Sequence, residues 1–112
     1  MKITIVLLTW QRIASLKRTL LTLSNQTYRD FDVYVSNSSE RSAAAAEQYA
    51  KYFSDKLSIT LSHDSNEHYA YRRLTIARDL AKSGTEIVLF IDDDITISEK
   101  YVQEILDTYE PN

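Results

Sequence analysis

Four short apolar runs alternate with stretches of helical periodicity, and this alternation limits the fold more than any other feature of the chain. Residues 3–8, ITIVLL, are β-branched and nearly continuous in apolar character, as expected of a strand buried on both faces. Over residues 12–24, Ile13, Leu16, Leu20 and Leu23 recur at helical spacing. Residues 31–35 read as a second strand. SAAAAEQYAKYF, residues 42–53, reads as a helix capped by Ser42. Residues 57–61 alternate like a third strand. The spacing then predicts a helix over 67–82, with Leu74, Ala77, Leu80 and Ala81 inward and Gly84 as its stop. Residues 87–91 form a fourth strand, and Ser98 caps a last helix with Tyr101, Val102, Ile105 and Leu106 inward. This β-α-β-α-β-α-β-α order predicts an α/β fold: a Rossmann-like, open, mostly parallel sheet with helices on both faces and right-handed crossovers. The chain has one Gly and one Pro, whereas a multi-stranded antiparallel protein needs more turn residues.

At 112 residues the chain makes one domain with room for a real core, and no linker or repeat divides it. A hydrophobic share of 44% and a charged share of 26% are those of an ordinary soluble domain. The net charge of −3 gives no general attraction to nucleic acid or acidic membranes. Cysteine is absent, which excludes disulfides and thiolate metal sites and fits a reducing, cytoplasmic setting. The apolar run near the N-terminus breaks at Thr9 with no small-residue cleavage site after it, unlike a secretory signal. No apolar stretch has the ~18 residues that span a bilayer. The sequons at Asn25 and Asn37 are therefore read as chance.

In an open parallel sheet, ligands bind at the carboxyl ends of the strands. Here those ends fall at residues 9–12, 36–39, 62–66 and 92–94, and all are polar. The last holds three successive carboxylates, Asp92, Asp93 and Asp94. Like charges about 4 Å apart repel by roughly 1 kcal/mol in water and about 4 kcal/mol at an effective dielectric of 20. Either water solvates such a cluster on a turn, or a cation sits in it. Alternation along an extended segment puts Asp92 and Asp94 on one side and Asp93 on the other. A D-x-D pair of this kind suits a hard divalent cation, Mg²⁺ or Mn²⁺, which takes carboxylate and phosphate oxygens. The plainer reading is a helix-entry turn, with acids near the positive end of the following helix.

With these residues placed, the chain resembles the N-terminal half of inverting family 2 glycosyltransferases, which have the GT-A fold. ITIVLLTWQR is similar to the family's opening strand, LLTLSNQTYRDFDVYVSNSS to its Asn-Gln-Thr-Tyr stretch and second strand, and YRRLTIARDLAKSGTEIVLFIDDD to its third helix, fourth strand and D-x-D motif. ISEKYVQEIL resembles the helix after that motif, so the likeness covers nearly the whole chain.

The resemblance implies that Thr9, Trp10 and Gln11 hold the base and ribose of a nucleotide sugar. Asn37, or Ser38, matches the family Asp that hydrogen-bonds the base. Arg73, and less closely Arg72, matches an Arg lining the nucleotide pocket. Asp92 and Asp93 match residues contacting the nucleotide sugar, and Asp94 matches the metal ligand, with Asp92 a second candidate. The implied donor is a nucleotide-diphosphate sugar, a UDP-sugar favoured. The implied cofactor is Mn²⁺ or Mg²⁺, and the acceptor is an undefined glycan, protein or lipid. The chain departs from the family in having Leu8 for Pro, Trp10-Gln11 for Tyr-Asn, and Ser36-Asn37-Ser38-Ser39 for Asp-Asp-Gly-Ser. The family's acceptor-binding half and catalytic base have no counterpart in residues 1–112. Either the chain is one domain of a longer protein, with a further domain or a second copy completing the site, or it is a minimal or inactive relative, and no general base is named.

Two other functions compete. VLFIDDDIT also satisfies the hhhhDxDxT phosphatase motif of the haloacid dehalogenase superfamily, with Asp92 as nucleophile and Asp94 as general acid. That motif normally opens its fold, whereas here it lies on the fourth strand. A non-catalytic nucleotide-sugar-binding or regulatory module is the other alternative. His63 and His68 are read as ordinary loop residues, Tyr69 and Tyr71 as packing residues, and Glu40, Arg41 and Glu47 as solvated charges.

Overall fold

The computed structural model describes residues 2–63, 69–92 and 96–108. In chain order its elements are β1 (Ile3–Thr9), α1 (Ile13–Ser24), β2 (Asp32–Asn37), a 3-10 turn (Glu40–Ser42), α2 (Ala43–Tyr52), β3 (Ser58–His63), α3 (Tyr69–Lys82), β4 (Ile87–Asp92) and α4 (Tyr101–Thr108). The sheet order is β3-β2-β1-β4, and every neighbouring pair is parallel. This is the open parallel α/β sheet that the alternation predicts.

Each strand projects alternate side chains to opposite faces. On one face Ile3, Ile5 and Leu7 of β1 join Val33 and Val35 of β2 and Ile91 of β4. Leu16, Leu20 and Leu23 of α1, Ala46 of α2 and Val102 of α4 cover them. On the other face Val6 and Leu8 pack with Ile76 of α3, flanked by Tyr34, Leu80 and Val88. Three helices therefore lie on one side and α3 on the other. All seven residues of β1 are buried, because β1 is central and covered on both faces. Burying a large aliphatic side chain contributes about 1.5–3 kcal/mol, so this strand anchors the domain.

Three details differ from the expected pattern. The strands run one or two residues past their apolar runs, to Thr9, Asn37, His63 and Asp92, because each polar end residue still has a ladder partner. On α3 the inward residues are Ile76 and Leu80, while Leu74 is 52% exposed. Ser42 precedes α2, yet its hydroxyl makes no capping bond, since the 3-10 turn runs directly into the helix. Gly84 does stop α3. It takes φ +98, and the Thr85 and Gly84 amides return to the Leu80 and Ala81 carbonyls at 2.9 and 3.1 Å. Among the described residues no helix is long and apolar enough to cross a membrane.

Gln26 joins the two ends of this layout. Its side chain is 2% exposed. Its Nε2 donates to the Ser98 carbonyl at 2.7 Å and the Thr22 carbonyl at 3.3 Å, and its Oε1 accepts from the Val102 amide at 3.1 Å. The Thr27 amide adds a bond to the Glu99 carbonyl at 2.8 Å. Val102 is the second residue of α4, so one buried amide caps that helix from 76 residues away. The Ser98 hydroxyl, the expected cap, reaches only the Lys100 amide at 3.3 Å.

Gln26→Leu orphans the buried Val102 amide, at about 1–3 kcal/mol, and removes the Nε2 bond to the Ser98 carbonyl, which keeps the Tyr101 amide at 3.1 Å. Urea denaturation is expected to show a loss of about 2 kcal/mol or more, while exposed Gln48→Leu stays within about 0.5 kcal/mol. Gly84→Ala meets no atom within 4 Å, so its cost is the left-handed backbone alone. The same measurement should read a loss of about 1–2 kcal/mol.

Candidate functional site at the strand ends

The parallel register sorts the polar strand ends into rows. Thr9, Asn37 and His63 are successive partners across β1, β2 and β3. They continue the alternation of Leu7, Val35 and Leu61, so their side chains lie on the α1–α2 side. Leu8, Ser36 and Ser62 form the row behind, with Asp92 opposite Leu8 on β4. That row faces α3.

On the α1–α2 side, the Thr9 carbonyl accepts the Ser38 amide at 3.0 Å and the Ser38 hydroxyl at 3.2 Å, which stitches the ends of β1 and β2 together. The Thr9 side chain is fully buried, and its Oγ1 has no hydrogen-bond partner among the described residues. Trp10 follows at 52% exposure, so its indole is open to a ligand or solvent rather than part of the core. Gln11 has φ +56, a left-handed conformation that side chains other than glycine rarely adopt. Such strain collects at binding loops, where the surrounding structure enforces it.

Asn37 is 1% exposed and fully engaged on its donor side. Its Nδ2 lies 2.8 Å from the Ser39 carbonyl and 3.1 Å from His63 Nδ1, and its Oδ1 accepts the Ser39 amide at 3.3 Å. His63 Nε2 in turn meets Glu47 Oε1 of α2 at 3.0 Å. His63 is thus the last residue of β3 rather than a loop residue, and Glu47 has a specific partner. Ending β3 at Leu61 concealed this. Continuing the Ile59, Leu61 alternation by one step aims residue 63 at α2.

On the α3 side, Arg73 lies 3.8 Å from Asp92, with the side chains 45% and 69% exposed. So open a pair contributes at most about 1 kcal/mol and can exchange partners readily. Arg72 is 3% exposed. It precedes Ile76 and Leu80 at four-residue spacing, which places it on the sheet side of the helix. α3 runs antiparallel to the strands, and helical side chains lean toward the N-terminus, so both arginines are directed toward the strand ends. The Arg72-Ile76-Leu80 spacing was visible in the sequence and marks Arg72 as the more enclosed of the two. Tyr71, expected to pack, is 60% exposed.

Asp93 and Asp94 lie outside the described residues, as do His68 and the 64–67 stretch. Among the described residues no group of three or more His, Cys, Asp or Glu could hold a metal ion. Among the described residues Asp92 offers an exposed carboxylate at the end of β4, the hard oxygen donor that Mn²⁺ or Mg²⁺ takes. The described residues thus bring Thr9, Trp10, Gln11, Asn37, Arg73 and Asp92 to one edge of the sheet.

Solved structures share this architecture. The structure of S. aureus TarS superposes with a TM-score of 0.76 at 22% identity, covering 96% of this chain and 19% of that one. TarS 1-349 in complex with UDP-GlcNAc gives 0.74 at 21% identity, over 96% of this chain and 30% of that one. The mannosyltransferase PcManGT from Pyrobaculum calidifontis, in complex with GDP-Man and Mn²⁺, gives 0.69 at 23% identity, over 84% and 28%. The chain therefore spans less than a third of the length of these structures. Comparison with curated proteins gives no match. The model of glycosyl transferase family 2 matches residues 4–112, and the chain belongs to that family.

Proposed function

We propose that this chain is the nucleotide-sugar-binding part of a glycosyltransferase, with the donor held across the carboxyl ends of β1, β2 and β4. The observation that carries the reading is the shared edge, which carries Thr9, Asn37, Asp92 and the α3 arginines together with the exposed Trp10. TarS has been solved with UDP and with UDP-GlcNAc, and PcManGT with GDP-Man and Mn²⁺, which supports a nucleoside diphosphate sugar as the ligand class. The family assignment replaces the phosphatase reading of Asp92 and Asp94.

In this reading Thr9, Trp10 and Gln11 take the base and ribose, with the indole offering a stacking face. Asn37, or Ser38 beside it, meets the base. Arg73 and the more enclosed Arg72 favour the negative diphosphate through charge-assisted hydrogen bonds. Asp92 and Asp93 contact the nucleotide sugar. Asp94, with Asp92, would hold a divalent cation, Mn²⁺ or Mg²⁺, which supplies charge neutralisation to the departing diphosphate. Arg73 already stands beside Asp92, so part of that acidic charge is balanced by the chain itself. We assign the acceptor-binding half and the general base to segments beyond these 112 residues, in keeping with the small share of TarS and PcManGT that the chain spans. The cysteine-free composition is compatible with a cytoplasmic setting.

Calorimetric titration of UDP and of GDP, each with and without Mn²⁺, tests the reading. One diphosphate is expected to bind only with the cation, and Asp94→Ala should weaken it at least about tenfold, or about 1.4 kcal/mol. Binding indifferent to both the cation and the substitution would contradict it. Trp10 is the sole tryptophan, so its fluorescence should change on binding. Trp10→Ala should lose about 1–3 kcal/mol of stacking, read as a weaker Kd.

A further inference from the structure

We infer that His63, held by Glu47, is a positioning residue for base selection: it commits the Asn37 amide to presenting only its carbonyl oxygen at the end of β2. The inference rests on the donor-binding reading and adds to it two residues that the family likeness does not single out.

The orientation of Asn37 follows from chemistry at Ser39. A backbone carbonyl can only accept and a backbone amide can only donate. The Ser39 carbonyl therefore takes Nδ2–H at 2.8 Å, and the Ser39 amide gives its hydrogen to Oδ1 at 3.3 Å. The second Nδ2 hydrogen points to His63 Nδ1 at 3.1 Å, so that nitrogen must be the acceptor. A neutral imidazole that accepts at Nδ1 carries its proton on Nε2, and Nε2 donates to Glu47 Oε1 at 3.0 Å. Every link is then satisfied. Both Asn37 donors are spent, and the one opening left is the second lone pair of Oδ1.

At 1% exposure Asn37 has little water to compensate a broken bond, so reversing the amide is costly. Its register partner Thr9 is equally buried and holds an Oγ1 with no partner among the described residues. Two adjacent strand ends thus carry unused hydrogen-bonding capacity in a place shielded from solvent. An acceptor-only Asn37 does what a carboxylate does at this position, without the charge. It welcomes a base whose ring nitrogen carries a hydrogen, as uracil and guanine do, and it disfavours the bare ring nitrogen of cytosine or adenine. Removing His63 frees one Nδ2–H, and the amide can then serve either kind of base.

The test compares UDP and CDP binding with Mn²⁺ by calorimetry in the wild-type chain, His63→Ala and His63→Gln, alongside ¹⁵N NMR of the His63 ring. The wild type should favour UDP. His63→Ala should lower the UDP-to-CDP ratio about tenfold, the worth of one hydrogen bond, chiefly by improving CDP. His63→Gln should restore the ratio, since its amide can accept from Asn37 and donate to Glu47. The ring should show the Nε2–H tautomer. An unchanged ratio in His63→Ala, with UDP still bound, would overturn the inference and leave the donor reading intact. If the wild type binds neither nucleotide, the donor reading and the base-selecting role fall together. The ring spectrum then tests the geometry alone: an Nδ1–H tautomer refutes the link to Asn37, and an Nε2–H tautomer upholds it.

Discussion

The central strand β1 is the constraint on which the rest depends. It is paired in parallel on both sides and covered on both faces, and none of its seven residues is exposed. A buried strand cannot slip by one residue without moving its apolar side chains to the wrong face. Its register therefore fixes where β2 and β4 end. Thr9 comes level with Asn37, and Leu8 level with Asp92. The polar edge is a consequence of apolar packing behind it. The two polar rows inherit their sides from the same alternation. Thr9, Asn37 and His63 fall with α1 and α2, while Asp92 falls with α3 and its arginines.

The second constraint is the Gln26 amide. β4 is one of the two edge strands of the described sheet, and only one of its residues is buried. Its ladder to β1 secures one end of the segment that carries the aspartates. Gln26 secures the other, through the Ser98 carbonyl and the Val102 amide. A weakly packed edge strand is thereby followed by a firmly held helix start. That division suits a binding edge, whose local stability can be low provided its anchors are not.

Most of the fold was legible in the sequence because each strand is a contiguous apolar run and each helix has its own period. The cluster Asp92–Asp94 pointed to the strand end for the same reason: it directly follows such a run. What sequence reading missed has a common origin in contacts between distant segments. Thr9, Asn37 and His63 belong to strands only because their ladder partners exist, and apolar character alone ended the strands too early. The capping of α4 by Gln26 spans 76 residues. The Glu47–His63–Asn37 chain needs α2, β3 and β2 together. Arg72 was the exception, since its spacing to Ile76 and Leu80 placed it inward. Leu74, being apolar, drew attention to the wrong side of the helix.

In the proposed function the base meets the α1–α2 row and the diphosphate the α3 row, separated by one residue along the strands. A nucleotide lying across the edge would touch both. Paramagnetic broadening by Mn²⁺ in the ¹⁵N-labelled chain, recorded with UDP present, tests this most directly. The account predicts that the backbone amides of Asp92, Leu8 and Ser36 broaden first and those of α2 later. Broadening centred on other acids, such as Glu40 or Glu104, or unaffected by UDP, would contradict it.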